Sequence, residues 1–178
     1  MADHRTDKKL FGRFEPLVLL VLGFLLSAIV GAGIAQRYQT RSADRAIAEK
    51  AFTEMADLLD GRLYRMRRIA SGYTAKVDAE EMNRRWLSYY DILDRWNGSL
   101  NEHLALLQRY FGDRWLIQLA TDLQPRFSDL NDLLEKAKAA QADKDRQEAL
   151  AAFRKNADVL NDKFYNFDVE LLQKLSKM

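Results

Sequence analysis

Residues 79–111, AEEMNRRWLSYYDILDRWNGSLNEHLALLQRYF, carry the clearest structural pattern in the chain. Apolar and aromatic side chains recur there at alternating steps of three and four residues, as in an amphipathic α-helix that buries one face. The pattern continues in register through Asn97-Gly98-Ser99, so we predict one long helix, although Ser99 and Glu102 have the spacing of a capping box. The stripe comprises Met82, Trp86, Tyr89, Leu93, Trp96, Leu100, His103, Leu107 and Tyr110.

Three further stripes with the same spacing lie on either side of this one. They are separated by Ser71-Gly72 and the cap formed by Asp78 with Glu81, by Gly112-Asp113, and by a charged turn near Ala142-Asp143. The stripes are Phe52, Met55, Leu59, Leu63, Met66, Ala70 and Tyr73; Leu116, Leu119, Leu123, Phe127, Leu130, Leu134 and Ala137; and Phe153, Ala157, Leu160, Phe164, Phe167 and Leu171.

Four amphipathic helices joined by short turns pack most simply as an up-down-up-down antiparallel four-helix bundle. We therefore predict an all-α bundle over residues 37–178, with helices at about 40–72, 79–111, 113–140 and 143–176. Pro125 lies inside the third helix and should bend it near Thr121, because proline lacks the amide proton that this helical turn requires.

The composition excludes several classes of function. The chain has no cysteine, so it can form neither disulfides nor Cys-based zinc sites. Its 28 Lys and Arg nearly balance its 26 Asp and Glu, for a net charge of +2. A nucleic-acid-binding protein usually has a clear basic excess, so we expect no nucleic-acid partner.

A long apolar segment precedes the predicted bundle. Residues 17–35 contain no charged side chain, and with Pro16 they supply about 20 residues, enough for a helix to cross the hydrocarbon core of a bilayer. We predict a short polar tail at 1–15, a transmembrane helix at 16–36, and a first bundle helix that continues from it. Membrane lipid is thus an expected partner.

This apolar segment has two alternative interpretations. Gly33-Ile34-Ala35 before Gln36 satisfies the small-x-small preference of signal-peptide cleavage, and basic residues precede the segment. A buried helix of a soluble core is the other alternative. The apolar run is longer than the roughly 7–15 residues of a signal-peptide core, which favours an uncleaved signal-anchor.

Small residues recur every fourth position in the apolar segment, at Gly23, Ser27, Gly31 and Ala35. Such a stripe lets two membrane helices approach closely, and it predicts contact with a second copy or with a larger membrane protein. Ordinary small-residue content is the alternative. Lys and Arg counts on the two sides are tied, but a short tail before a long domain favours a bacterial inner-membrane protein with a periplasmic bundle.

Arginines concentrate near the turn between the first two predicted bundle helices. Antiparallel pairing across this turn brings the two groups together, so they predict a membrane-distal site for an anion or an acidic partner. Nearby carboxylates, among them Asp78, Glu80 and Glu81, are the competing explanation, because they can neutralise the cluster. The six arginines are Arg62, Arg65, Arg67, Arg68, Arg84 and Arg85.

The turn between the second and third predicted helices combines aromatic and basic residues. If the first helix rises from the membrane, the second returns to it, and this turn lies at the headgroup interface. Alternatively its aromatic side chains close the end of the bundle core. The residues concerned are Arg109, Tyr110, Phe111, Arg114 and Trp115.

No pattern in the chain indicates catalysis. His103 falls on an apolar stripe, which favours a histidine at the core edge or facing a partner over a ligand-binding or pH-sensing role. The serines lack a nucleophile-elbow context and the carboxylates are spread over helix surfaces. We therefore expect no enzymatic activity, no catalytic or metal site and no cofactor.

These features predict a single-pass membrane protein that acts as a subunit or adaptor of a membrane complex. The plan resembles, in architecture, the membrane-anchored helical bundles of bacterial chemoreceptors and sensor kinases. The alternative function is a sensor that recognises an anion or acidic partner at the arginine cluster. A weaker alternative is a membrane-acting effector or inhibitor.

Overall fold

The computed structural model describes the backbone of residues 7–177 and the side chains of residues 36–177 other than Tyr38. The chain forms two compact units, Met1–Asp44 and Arg45–Met178. All side-chain contacts described below belong to the second unit.

The described residues form helices and no strand, which confirms the all-helical prediction. The helices are α1 (Asp7–Ala75), α2 (Ala79–Phe111), α3 (Asp113–Gln118), α4 (Gln124–Ala139) and α5 (Asp143–Leu175). The segment Leu119–Leu123 is a π-helical turn that joins α3 to α4 without a break, so we call α3, this turn and α4 together the third rod.

Contacts in the second unit show a helical bundle whose neighbouring helices run antiparallel. Between α1 and α2, Arg65 bonds to Ser88 while Arg68, one turn further along α1, contacts the earlier Glu81. The same inverse order joins the other neighbours, α2 to the third rod, the third rod to α5, and α5 to α1. Representative pairs are Trp86–Lys138 and Tyr89–Asn131, Arg114–Glu170 and Asp122–Lys163, and Arg67–Asn161 and Thr74–Arg154.

One continuous hydrophobic core runs through this bundle, and the helix stripes supply most of it. Trp96, Phe127, Phe153 and Phe167 are among its largest fully buried side chains. Some core positions lie beside the predicted stripes: Ile92, Phe111 and Trp115 are buried, whereas their neighbours Leu93, Tyr110 and Leu116 are only partly buried. A bundle helix touches two neighbours, so its buried face is wider than a single line of residues.

The start of α2 shows which half of the predicted capping box forms. The carboxylate of Asp78 accepts a 2.8 Å hydrogen bond from the backbone N–H of Glu81, as an N-cap residue does. The Glu81 side chain bonds to arginines, as described below. At the other end of α2, Gly112 adopts φ 101°, a value that favours glycine and allows the direct turn into α3.

The π-helical turn lies immediately before Pro125. Pro125 has no amide proton for the carbonyl of Thr121, so the regular hydrogen-bond ladder is interrupted there. The backbone N–H of Gln124 instead bonds to the carbonyl of Leu119, five residues earlier. The third rod thereby accommodates Pro125 without a break in the helix, and Leu119 and Leu123 remain in the core.

Within the described residues, no helix has a stretch long and apolar enough to cross a membrane. Residues 16–35 of the predicted transmembrane helix lie outside the residues whose side chains are described. The membrane segment therefore stays a prediction from sequence.

Candidate functional site

Three of the six arginines in the predicted cluster contact the carboxylate of Glu81. Its oxygens lie 2.8 Å from Nε of Arg85, 3.2 Å from Nη2 of Arg84 and 3.5 Å from Nη2 of Arg68. The hydrogen bond from Arg85 is the main reason that the pKa of Glu81 is lowered. These three arginines therefore converge as predicted, but around a carboxylate of the protein itself.

Arg85 also holds the ends of α1 and α2 together. Its guanidinium donates to the backbone carbonyl of Arg68 at 2.6 Å and to the hydroxyl of Ser71 at 3.2 Å. The side chain of Arg85 is largely covered, unlike that of Arg84. Arg85 is thus a structural contact, whereas Arg84 is the more accessible cation for an external anion.

Two of the remaining arginines point into different grooves. Arg65 donates to Ser88 and to the carbonyl of Gly61, along the α1–α2 groove. Arg67 lies in the α1–α5 groove and donates to Asp158 at 3.1 Å and to Asn161 at 3.2 Å. The predicted cluster is therefore divided between two faces of α1.

Arg62 is separated from the others because it is buried, with only 5% of its surface exposed. Its guanidinium lies 4.7 Å from the ring centre of Phe127, and its Nε has no hydrogen-bond partner among the described residues. Burial raises the pKa of the nearby Tyr89, and the charge of Arg62 opposes this rise. A buried cation without a carboxylate is costly for the fold.

The aromatic turn at residues 109–115 is partly built into the core. Phe111 and Trp115 are buried, and Trp115 packs edge-on against Phe167. Arg114 covers the Trp115 ring at 4.8 Å and pairs with Glu170 at 2.7 Å.

The other members of the turn remain at the surface. The guanidinium of Arg109 lies 5.2 Å from the ring centre of the partly buried Tyr110, and Arg109 itself is exposed. The side chain of Arg114 is exposed as well, so Arg109, Tyr110 and Arg114 are available for contact with lipid headgroups. The packing of Phe111 and Trp115 matches the alternative that aromatic residues close the bundle core.

The predicted helix-contact residues Gly23, Ser27, Gly31 and Ala35 lie outside the residues whose side chains are described. Their role remains a prediction from their four-residue spacing.

His103 is buried at the α1–α2 interface, as its place on the apolar stripe indicates. It is 5% exposed and stacks on Trp96, with the ring centres 5.7 Å apart. Neither ring nitrogen has a hydrogen-bond partner among the described residues. Burial lowers the pKa of His103, against the opposing charges of Glu102 and Glu54.

Asp168 was not singled out by the sequence pattern. It lies on α5 in a shallow groove against α1, with Asp57, Asp60 and the exposed Tyr165. Its Oδ1 is buried and unpartnered among residues 36–177. Burial and the charge of Asp60 raise its pKa to about 7. A sequence signal exists, since Asp168 follows the buried Phe164 by four residues, but it does not show which helix faces Asp168.

These groups do not form a metal centre in the described part of the chain. No three His, Asp or Glu side chains there are placed to hold a metal ion. The polar groups that the arrangement offers to a ligand or partner are arginine–carboxylate pairs, a buried imidazole and exposed tyrosines.

Comparison with known proteins finds no match to any protein-family model, curated protein or solved structure.

Proposed function

We propose that the protein is a non-enzymatic, single-pass membrane protein that serves as a subunit or adaptor of a membrane protein complex. Residues 16–36 form its membrane helix, and the helical bundle lies on the periplasmic side of a bacterial inner membrane. The observation that carries the proposal is the uncharged run of residues 17–35, in which Gly23, Ser27, Gly31 and Ala35 recur every fourth position.

The physical reason is that helices in lipid gain little from burying apolar surface against each other. Close backbone approach at small residues supplies the packing that joins them. A span without Asp, Glu, Lys, Arg or His is also poorly suited to an ion or proton path, which leaves contact as its function. The same stripe serves either a second copy of the chain or a different membrane protein.

The bundle surface supports a role in contact. Tyr64 on α1 and Tyr165 on α5 are 59% and 66% exposed, although tyrosine usually buries much of its ring. Tyrosine is enriched in protein interfaces because its ring packs while its hydroxyl remains hydrogen-bonded. Exposed aromatic residues on two neighbouring helices favour a protein partner at this surface.

The test is co-purification from membranes in mild detergent, with Gly31→Ile compared with Gly33→Ile. Gly31 belongs to the small-residue stripe, whereas Gly33, two residues further along, falls on the other side of a helix, so both variants add the same side chain at nearly the same depth. We expect Gly31→Ile to lose the co-purifying subunit or self-association, and Gly33→Ile to retain it. Equal retention by both variants would show that the stripe is not a contact surface.

The alternative is a sensor that recognises an anion or an acidic partner at the arginine cluster. The supporting observation is that Arg84 is well exposed and that three arginines gather around two carboxylates, Glu81 and the exposed Glu80. Thermal unfolding against a panel of anions tests this alternative. A stabilisation beyond that of ionic-strength controls, lost in Arg84→Gln, is the expected result; no such stabilisation would exclude it.

The weaker alternative is a membrane-acting effector or inhibitor. Its support is confined to Arg109, Tyr110 and Arg114, which remain accessible in the aromatic turn. Binding of the compact unit Arg45–Met178 to liposomes separates this alternative from the other two. Retention of binding when Arg109→Gln and Arg114→Gln are combined would remove its structural basis.

A further inference from the structure

A polar groove lies between α1 and α2, away from the arginines around Glu81. It encloses about 600 Å³ and is open to solvent along the bundle surface. Ser99 and the open position of Gly98 leave room between the two helices. Its charged and titratable side chains are Glu54, Asp57 and Arg65 on α1 and Arg95, Glu102 and His103 on α2.

His103 is the unusual member of this groove. It is 5% exposed, and both of its ring nitrogens are shielded from solvent without a hydrogen-bond partner among residues 36–177. Buried polar atoms are nearly always paired, since an unmade hydrogen bond loses hydration without replacement. A ligand that supplies the missing hydrogen bond to the imidazole would therefore bind favourably.

The protonation state of His103 determines which bond that is. Burial keeps its pKa below 6.5, although the carboxylates of Glu102 on α2 and Glu54 on α1 act in the opposite direction. The ring is therefore neutral at pH 7. A neutral imidazole has one nitrogen that accepts a hydrogen bond and one that donates.

The charges nearest to His103 favour a cation. The only described ion pair of Glu54 is an exposed contact with Lys50 at 3.7 Å. Glu102 forms no ion pair among the side chains that the structure describes. Two carboxylates and a hydrogen-bond acceptor match a group that is positively charged and donates several hydrogen bonds. The ligand is organic, because the described residues place no three ligands for a metal ion.

We propose that the α1–α2 groove binds a primary ammonium group, which donates a hydrogen bond to His103 and lies between the carboxylates of Glu54 and Glu102. The two nitrogens are shielded, so the ring turns toward the groove on binding and its stacking on Trp96 loosens. This proposal is independent of the membrane contact, since it rests on residues of the bundle alone.

Arg95 distinguishes two sources of the ammonium group. It lies in the same groove and pairs with no described carboxylate, so it can bind the carboxylate of a ligand that carries both charges. A simple amine uses only the His103 end of the groove. An amino acid uses both ends and therefore binds more tightly than the amine.

The experiment is an NMR titration of the full chain in detergent micelles, with histidine ring labelling. The chain has two histidines, His4 and His103, so a His4→Gln background leaves one ring signal. The probes are butylamine, 4-aminobutyrate and butyrate, which have the same carbon chain and differ in charge. We expect saturable shifts of the His103 ring with the two ammonium compounds and none with butyrate.

Variants and pH test the role of each group. Glu54→Gln and Glu102→Gln should each weaken binding about tenfold, whereas Glu148→Gln on α5 should leave it unchanged. Binding should weaken as pH falls through the His103 pKa, because the protonated ring has no acceptor. The proposal is overturned if the His103 signal shows no saturable shift, responds equally to butyrate, or reports an unchanged affinity in both glutamine variants.

Discussion

The two grooves that flank α5 contain aspartates in opposite surroundings. On the side of the third rod, Asp122 lies 2.7 Å from both Lys163 and Arg126. On the side of α1, Asp168 faces Asp60 and has a buried oxygen without a partner among the described side chains. Helix periodicity places both residues at the edge of the core, so the difference comes from the side chains around each aspartate, on its own helix and on the neighbouring one.

The consequence appears in the two pKa values. Hydrogen bonds from Lys163 and then Arg126 lower the pKa of Asp122, whereas burial and then the charge of Asp60 raise that of Asp168 to about 7. The first carboxylate stabilises the bundle when ionised, and the second destabilises it. The two aspartates therefore have opposite effects on stability, because Asp168 is more deeply buried and faces a like charge, whereas Asp122 bonds to two cations.

Arg62 should give the largest effect, because it is the most deeply buried charge of this kind. We expect Arg62→Met to stabilise the bundle by about 1–4 kcal/mol, since a buried charge without good pairing costs more than an apolar side chain of similar length. Urea unfolding followed by circular dichroism measures the change. The exposed Arg84→Met is the control, and a destabilised Arg62→Met would show that the stacking on Phe127 outweighs the cost of burial.

Asp168 should give the next largest effect, and one that depends on pH. Its native pKa of about 7 exceeds the unfolded value of 3.8, so the folded state holds the proton more tightly and stability falls as pH rises between these values. Asp168→Asn should therefore stabilise the bundle above pH 7, on the order of 1 kcal/mol after solvent screening of a half-buried carboxylate.

The matched control is Asp162→Asn, an exposed aspartate on the same helix. Denaturant unfolding of both variants at pH 5 and pH 8 measures the difference. The stabilisation by Asp168→Asn should shrink at pH 5, where the native carboxyl group is already protonated. An equal effect at the two pH values would mean that Asp168 is ionised in both.

Asp122 should give the smallest effect, with the opposite sign. Its lowered pKa contributes stability above the unfolded value of 3.8, and that contribution is lost as pH falls through the native pKa. Asp122→Asn should destabilise the bundle by up to about 1 kcal/mol at pH 7, because all three charged groups are partly exposed. Unfolding midpoints at low and high salt check this, and a loss that salt does not reduce would argue against ion pairing.

The all-helical class could be predicted because the spacing of apolar residues along a helix is a local property of the sequence. The spacing of Phe153, Ala157 and Leu160 shows a buried face without any knowledge of the partner helix, and all three are buried. Pro125 likewise indicates a local disturbance, although the sequence does not show that a π-helical turn will absorb it.

The candidate site was less predictable, because it depends on which faces of two helices meet. The sequence shows a group of arginines near the first turn. Their convergence on Glu81 cannot be predicted without knowing how α1 is aligned against α2. The burial of Arg62 follows from its position beside Leu63 and Met66 on the inner face of α1. The sequence does not show that Asp168 faces α1, where it has no cation partner among the described residues.

We propose that residues 16–36 remain in the protein as a membrane helix that makes contacts. Intact-mass measurement of the chain from alkaline-washed membranes tests this proposal. The chain should resist the wash and retain residues 16–36, with self-association or a co-purifying partner that Gly31→Ile removes. A chain that begins at Gln36 and is recovered in the soluble fraction would contradict it.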